Sequence, residues 1–166
     1  MNAHAAPIKA APTSGTERQR FDWAMVLLRR ANVRLTRPRQ RILEALVKRP
    51  LPVSLDVLGE ELRLECDLAT IYRTMHSFRE AGVVRQVHVA PDRACYVLGA
   101  PGEPCGYLIC RQCGSVSSLP GAQSMVELGR KMAMDVGFRI LQQEVEFYGI
   151  CPACQREGLG GVKVRE

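Results

Sequence analysis

Two short cysteine repeats constrain this chain more than any other feature. Cys110-Arg111-Gln112-Cys113 and Cys151-Pro152-Ala153-Cys154 are both C-x-x-C turns, a spacing that points two sulfurs at one centre. Two such turns supply the four soft thiolates that tetrahedral Zn²⁺ prefers. The 37 residues between the pairs are more than a compact zinc ribbon needs, so further structure is expected to fold there. Redox dithiols or two disulfides are the alternative use of the same cysteines. No secretory signal is apparent, and a reducing cytosol favours the metal. A closed four-sulfur site leaves no open coordination position, so it reads as structural and not catalytic.

The rest of the composition bounds the setting. A chain of 166 residues is one domain or two small ones. It has no apolar run of about 18 residues, so no membrane span is expected. Residues 1–15 are rich in Ala and Pro and lack a hydrophobic segment; they read as a disordered arm, and the protein as cytoplasmic. The net charge of +6 lies wholly in residues 1–100, where 16 Lys+Arg face 10 Asp+Glu, while residues 101–166 balance at 7 and 7. Arg29, Arg30, Arg34, Arg37, Arg39, Arg41, Lys48 and Arg49 crowd one stretch with a single acid, Glu44. Such a concentration suits a polyanion-binding surface, with a merely solvated basic face as the alternative.

Apolar periodicity predicts four helices in the first half. Phe21, Met25 and Leu28 stripe a first helix over about 16–31. A second runs from about Thr36 to Lys48, with Pro38 in its first turn and Ile42/Leu46 and Leu43/Val47 on its buried side. Ser54 caps a short third, with Val57, Leu58 and Leu62 inward. The fourth starts at the N-cap Asp67 and stops at Gly82; Ile71, Met75 and Phe78 are its buried stripe, and Ala69, Tyr72, Arg73 and His76 its outer side. Two β-rich runs, 83–89 and 94–98, then flank a Pro-Asp turn. Helices followed by such a hairpin make a winged helix-turn-helix over 16–98.

The Gly/Pro-rich stretch 99–106 reads as a hinge. Beyond it, 107–155 is expected to hold short strands around the first knuckle, a helix over 122–136 with Met125, Leu128, Met132 and Val136 apolar, a long strand over 138–150, and the second knuckle. Residues 156–166 read as a flexible tail. A piece of about 50 residues buries too little to hold itself together, so a metal staple and a partner subunit are both expected. The fold class is therefore α+β: an N-terminal winged helix-turn-helix plus a small C-terminal α/β dimerisation domain with a four-cysteine zinc site.

At this point the segments match a family. Arg34-Leu35-Thr36-Arg37-Pro38-Arg39, Leu68-Ala69-Thr70-Ile71-Tyr72-Arg73 and Leu108-Ile109-Cys110-Arg111-Gln112-Cys113-Gly114-Ser115-Val116 resemble the ferric uptake regulator family, in the right order from about Arg18 to Cys154. The resemblance implies a dimeric, metal-responsive transcription repressor with one structural zinc per subunit. It implies that Tyr72 and Arg73 contact bases and backbone, and that Arg34, with Arg37 and Arg39 beside it, reaches a minor groove rich in A·T within a palindromic operator. Thr70 would bond a phosphate. Arg reading guanine and a ring pressed on a thymine methyl are sensible chemistry for such a helix.

The chain also departs from the pattern of the family it resembles. Where members carry a histidine-rich stretch before the Leu-Ile-Cys run, this sequence has Pro104-Cys105-Gly106-Tyr107; Pro52 and Val97 replace a further His and an acid. The usual iron-type site cannot be assembled from these residues. His88, Cys95 and Cys105 form a candidate regulatory site instead, holding a second Zn²⁺ with its soft ligands. A thiol redox switch or a regulator without an effector site are the alternatives.

Two functions of other classes compete. A winged helix with a zinc ribbon also occurs as a protein-interaction module without sensing, but the basic stretch and exposed Tyr72/Arg73 favour DNA. A redox enzyme would want a C-x-x-C at a helix start in a βαβ setting, which the β-rich surroundings of both pairs argue against. With no catalytic constellation apparent, the chain reads as no enzyme.

Overall fold

The computed structural model describes residues 15–90, 93–100, 106–140 and 145–156. The expected arm before Gly15, most of the hinge, and the tail from residue 157 lie outside these. Two compact units are present, one within Pro12–Glu103 and the other within Pro104–Glu166.

In the first unit the third and fourth helices start at the expected caps, Ser54 and Asp67. Helix α1 (Glu17–Arg30) opens on a capping box, with Thr16 accepting from the Gln19 N–H and the Gln19 side chain returning to the Thr16 backbone. Helix α2 (Arg37–Val47) follows, then strand β1 (Val53–Ser54) and helix α3 (Leu55–Glu61), whose Val57 N–H donates to Ser54 Oγ. Helix α4 (Leu68–Glu80) has Asp67 as N-cap. It ends in a Schellman turn: Gly82 sits at φ 72, its N–H reaches the Arg79 carbonyl, and the Val83 N–H reaches Phe78. Glycine suits this place because a left-handed residue there has no Cβ to clash.

The core is one cluster fed by every helix. Leu28, Ile42, Leu43, Leu46, Leu58, Ile71, Met75 and Phe78 are all essentially buried, joined by Val83, Val84 and Leu98 from the hairpin. Val57, expected inward, is instead 53% exposed. α3 buries Leu55, Leu58 and Leu62, spaced i, i+3, i+7, and Val57 falls off that stripe. Strands β2 (Val84–Ala90) and β3 (Arg93–Leu98) form the wing, and β1 adds to β3 to give the order β1-β3-β2. β1 is too short, at two residues, to leave a pattern in the sequence.

The described part of the second unit is a three-stranded sheet with one long helix and one short one. Strand β4 (Gly106–Cys110) is central, antiparallel to β5 (Val116–Ser118) and parallel to β6 (Val145–Gly149). Helix α5 (Ala122–Asp135) lies in the connection between β5 and β6. A Cβ on Gly106 would come within 2.6 Å of the Ala122 Cβ, so the start of β4 and of α5 pack closely because that residue has no side chain. The expected strand over 138–150 is shorter. Phe138 closes the cap of α5, its N–H donating to the Ala133 carbonyl at 2.7 Å, and a backbone used that way is not extended. α5 turns Ala122 and Val126 inward, while Met125, Leu128, Met132 and Val136 are exposed.

Candidate DNA interface and metal centre

The outer side of α4 is built from its cap upward. The Asp67 carboxylate accepts the Thr70 N–H at 2.6 Å, and Arg73 Nη2 donates to Thr70 Oγ1 at 3.3 Å. The Thr70 hydroxyl first, then the Thr70 N–H, hold Asp67 below the usual carboxylate range, with Arg73 adding to the effect. The Thr70 hydroxyl is thus already engaged, accepting from Arg73 and donating to Asp67, and bonding a phosphate would redirect its O–H from the Asp67 carboxylate. Tyr72 is 53% exposed and is not among the residues packed on the core. Arg73 and His76 share that open side, His76 facing Glu80 at 3.3 Å.

The basic stretch is less uniform than its sequence suggests. Arg41 is bound by Glu65 and by Glu44, the latter at 2.9 Å, and the Glu65 bond is the main reason its guanidinium is held above its ordinary value. Arg49 pairs with Glu61 and donates to the Ala45 carbonyl. Arg39 is half-buried and donates to the Arg34 carbonyl at 2.9 Å and to Ser77 Oγ at 3.5 Å. Arg29, Arg30, Arg34, Arg37 and Lys48 remain exposed. The glutamates that neutralise Arg41 and Arg49 lie in α2, α3 and just beyond α3, so a linear charge count misses them. The start of α2 carries Arg37 and Arg39, no acid, and no side-chain cap from Thr36, leaving a positive end that an anion would stabilise.

The four cysteines converge. Their sulfurs all lie within 4.8 Å of one another, with Cys110–Cys154 at 4.0 Å and Cys113–Cys151 at 3.7 Å. A tetrahedron with Zn–S bonds of about 2.3 Å has edges of about 3.8 Å, so the cluster is already the size of a zinc site. No disulfide joins them. The Cys151 N–H donates to Cys110 Sγ at 3.3 Å, and Cys113 Sγ lies 3.2 Å from Ser115 Oγ. The Cys154 N–H, outweighing burial, lowers Cys151 to about 6, while burial and then the neighbouring thiols push Cys154 up. Four sulfurs so close resist full ionisation until a cation neutralises them. Arg111, inside the first turn, stacks over the Tyr148 ring at 3.9 Å, and its N–H donates to the Gly149 carbonyl, fastening that knuckle to β6.

One expectation about the second knuckle is corrected. Cys151-Pro152-Ala153-Cys154 opens a short helix, α6 (Pro152–Arg156), and β4 and β6 are parallel, so the surroundings are not simply β-rich. The convergence of both pairs on one centre, and not the local secondary structure, is what separates this site from a lone redox dithiol.

Two of the three candidate regulatory residues, His88 and Cys95, do not converge. The wing register pairs Cys95 with Val87 and His88 with Ala94, which puts Cys95 and His88 on opposite faces of the hairpin. Cys95 is buried and His88 exposed, its Nε2 3.0 Å from Gln86 Nε2. Cys105 lies outside the described residues.

An exposed recognition helix in a winged helix-turn-helix, with a four-thiolate metal centre in a second α/β unit, defines a DNA-binding regulator of the winged-helix class. The chain belongs to the ferric uptake regulator family, whose model matches residues 30–148. It is 30% identical over 136 residues to the ferric uptake regulation protein of Neisseria gonorrhoeae, covering 79% of this chain and 92% of that one. Its fold is similar to that of a ferric uptake regulator from Pseudomonas aeruginosa solved with manganese, with a TM-score of 0.67 at 22% identity over 78% of this chain and 98% of that one. A zinc uptake regulator complexed with zinc and DNA is similar at a TM-score of 0.56 and 24% identity, over 88% and 99%. Members of the family are transcription regulators, not enzymes. Among the described residues no helix is long and apolar enough to cross a membrane.

Proposed function

We propose that the chain is a dimeric, sequence-specific transcription repressor that holds one structural zinc per subunit. The observation that carries this reading is the outer side of α4, where Tyr72 and Arg73 stand exposed while Ile71, Met75 and Phe78 anchor the helix. In this reading Tyr72 and Arg73 read base edges in the major groove, and Arg34 reads a narrow A·T-rich minor groove. Arg37 and the Thr70 region position the phosphates. Cys110, Cys113, Cys151 and Cys154 would hold the zinc, which supplies folding free energy and no chemistry.

The dimer is supported by what the second unit leaves uncovered. Leu128, Met132 and Val136 on α5 are 59%, 60% and 71% exposed, and Leu108, Phe147 and Tyr148 on the sheet are more than two-fifths exposed. Apolar surface of that extent calls for a partner, and β6 is an edge strand among the described strands. A second copy of the chain is the partner that a palindromic operator demands. The second zinc shared by His88, Cys95 and Cys105 is not part of this reading, because His88 and Cys95 face apart.

The test selects duplexes from a random-sequence pool with the full-length zinc protein, alongside sedimentation. A palindromic, A·T-rich selected site bound by a dimer is the expected result. Recovery of no preferred sequence, or a monomer that binds all duplexes alike, would favour an interaction module instead.

A further inference from the structure

We propose that Arg39 is a positioning residue for DNA recognition: it ties the Arg34 segment to the recognition helix through Ser77, so that both DNA-reading arginines approach an operator as one body. The inference rests on the reading of Arg34 and Arg73 as DNA contacts. Arg39 lies in the first turn of α2, where a cation is disfavoured by the helix dipole and no acid is present to offset it. The arginine there is held by acceptors. Its guanidinium spans two of them, the Arg34 carbonyl at 2.9 Å and Ser77 Oγ at 3.5 Å. Ser77 in turn donates its hydroxyl to the Arg73 carbonyl at 3.1 Å. The chain of contacts therefore runs from the backbone of Arg34 to the backbone of Arg73.

The other end of the same segment is already anchored. Asn32 adopts φ 52 at the end of α1, and the Val33 N–H reaches the Leu28 carbonyl at 2.8 Å. Val33 is thus fixed by α1, and Arg34 by Arg39, which leaves the Arg34 side chain on a segment pinned at both sides. Such preorganisation spares the cost of ordering the segment on binding. A planar fork meets two acceptors in set directions, which a lysine ammonium does not reproduce. Arg39 is half-buried by this arrangement, whereas Arg34 and Arg37 are exposed. It is the geometry of a brace, and the phosphate-facing cations are its neighbours.

The experiment titrates the full-length zinc protein on a duplex that the wild type selects from a random pool, on that duplex with its A·T-rich positions changed to G·C, and on the unselected pool. Ser77→Ala and Arg39→Gln should each lose about three- to tenfold of the preference for the selected duplex, the scale of one hydrogen bond. The double variant should lose no more than either single one, since both cut the same link. Arg39→Lys should not restore the preference. The slope of affinity against salt on pool DNA should match the wild type for both single variants. A salt slope smaller by about one in Arg39→Gln, with Ser77→Ala behaving as wild type, would make Arg39 a phosphate contact and overturn the brace. So would additive losses in the double variant. If Arg34→Ala and Arg73→Ala both keep the wild-type preference, the underlying DNA reading fails and this one with it. If those two lose preference while Ser77→Ala and Arg39→Gln do not, the brace alone is wrong.

Discussion

Cys95 and His88 stand on opposite faces of the β2–β3 hairpin. Antiparallel register gives every cross-strand pair a common face, and here the pairs are Cys95 with Val87 and His88 with Ala94, one step apart. Two potential ligands on one short hairpin are thereby denied a common ion, although both are soft donors.

That separation sharpens the metal prediction. Among the described residues the one cluster of metal donors is the set of four thiols, and His76 and His88 lie beside Glu80 and Gln86 on exposed surfaces. Fe²⁺ and Mn²⁺ prefer sites with several imidazole and carboxylate donors, so neither ion is expected to promote DNA binding. Anisotropy titration of the one-zinc protein with each metal checks this, and a response to either would defeat it. A zinc response that persists in the Cys95→Ser/Cys105→Ser double variant would place a sensor elsewhere.

Removing one zinc ligand should remove more than the metal. Cys113→Ser and Cys154→Ser each break the tetrahedron, and among the described residues the apolar core of the second unit, cysteines aside, is only Tyr107, Ile109, Val116, Ala122 and Val126. Loss of zinc by elemental analysis together with loss of the dimer by sedimentation is expected. A stable metal-free dimer in either variant would refute the staple.

Arg73→Ala should weaken binding to a selected operator by about 1–3 kcal/mol and relax sequence preference. Arg34→Ala should weaken chiefly those sites with a narrow A·T-rich groove. Competition with random duplex at matched salt reads both effects. Unchanged discrimination by Arg73→Ala would count against direct readout.

The cap of the recognition helix sets a dependence on acid. Asp67 is held below its ordinary range by Thr70, so its contribution is fully present above about pH 4 and is lost as pH falls through its lowered value. Melting temperatures of the wild type and Asp67→Asn should converge on acidification, because asparagine caps without titrating. Parallel profiles at all pH values would show that the carboxylate contributes nothing in its charged form.

Gly106→Val should destabilise the second unit by about 1–3 kcal/mol, the usual cost of overpacking. The cause is the Ala122 Cβ, 2.6 Å from where the first added carbon would sit. Guanidinium unfolding followed by the Tyr107 and Tyr148 signals measures it, and an unchanged midpoint would mean that α5 can shift away freely.

Much of the architecture is legible in local chemistry. Thr16, Ser54 and Asp67 cap the helices they precede, and Gly82 and Gly137 sit at positive φ just past α4 and α5. Ile71, Met75 and Phe78 are buried as their spacing demands. Val57 and the run over 138–150 mislead because an apolar side chain does not by itself fix an inward or extended position. Val57 lies off its helix stripe, and Phe138 is spent on a cap.

Capping, periodicity and C-x-x-C spacing act over one or two turns, so a linear chain carries them. They suffice for the helices α1 to α5, for the wing hairpin and for the four thiols as donors to one centre, but not for β1, α6 or the start of β6. Which charges are free and which donors can meet is a property of the folded chain alone. Arg41 and Arg49 are paired with glutamates, Glu65 and Glu61, from distant positions. Arg39 turns to Arg34 and Ser77, and His88 turns away from Cys95. Each of these depends on the register of a hairpin or the packing of two helices, and such long-range geometry is set by burying the common core, not by any residue's neighbours in the chain.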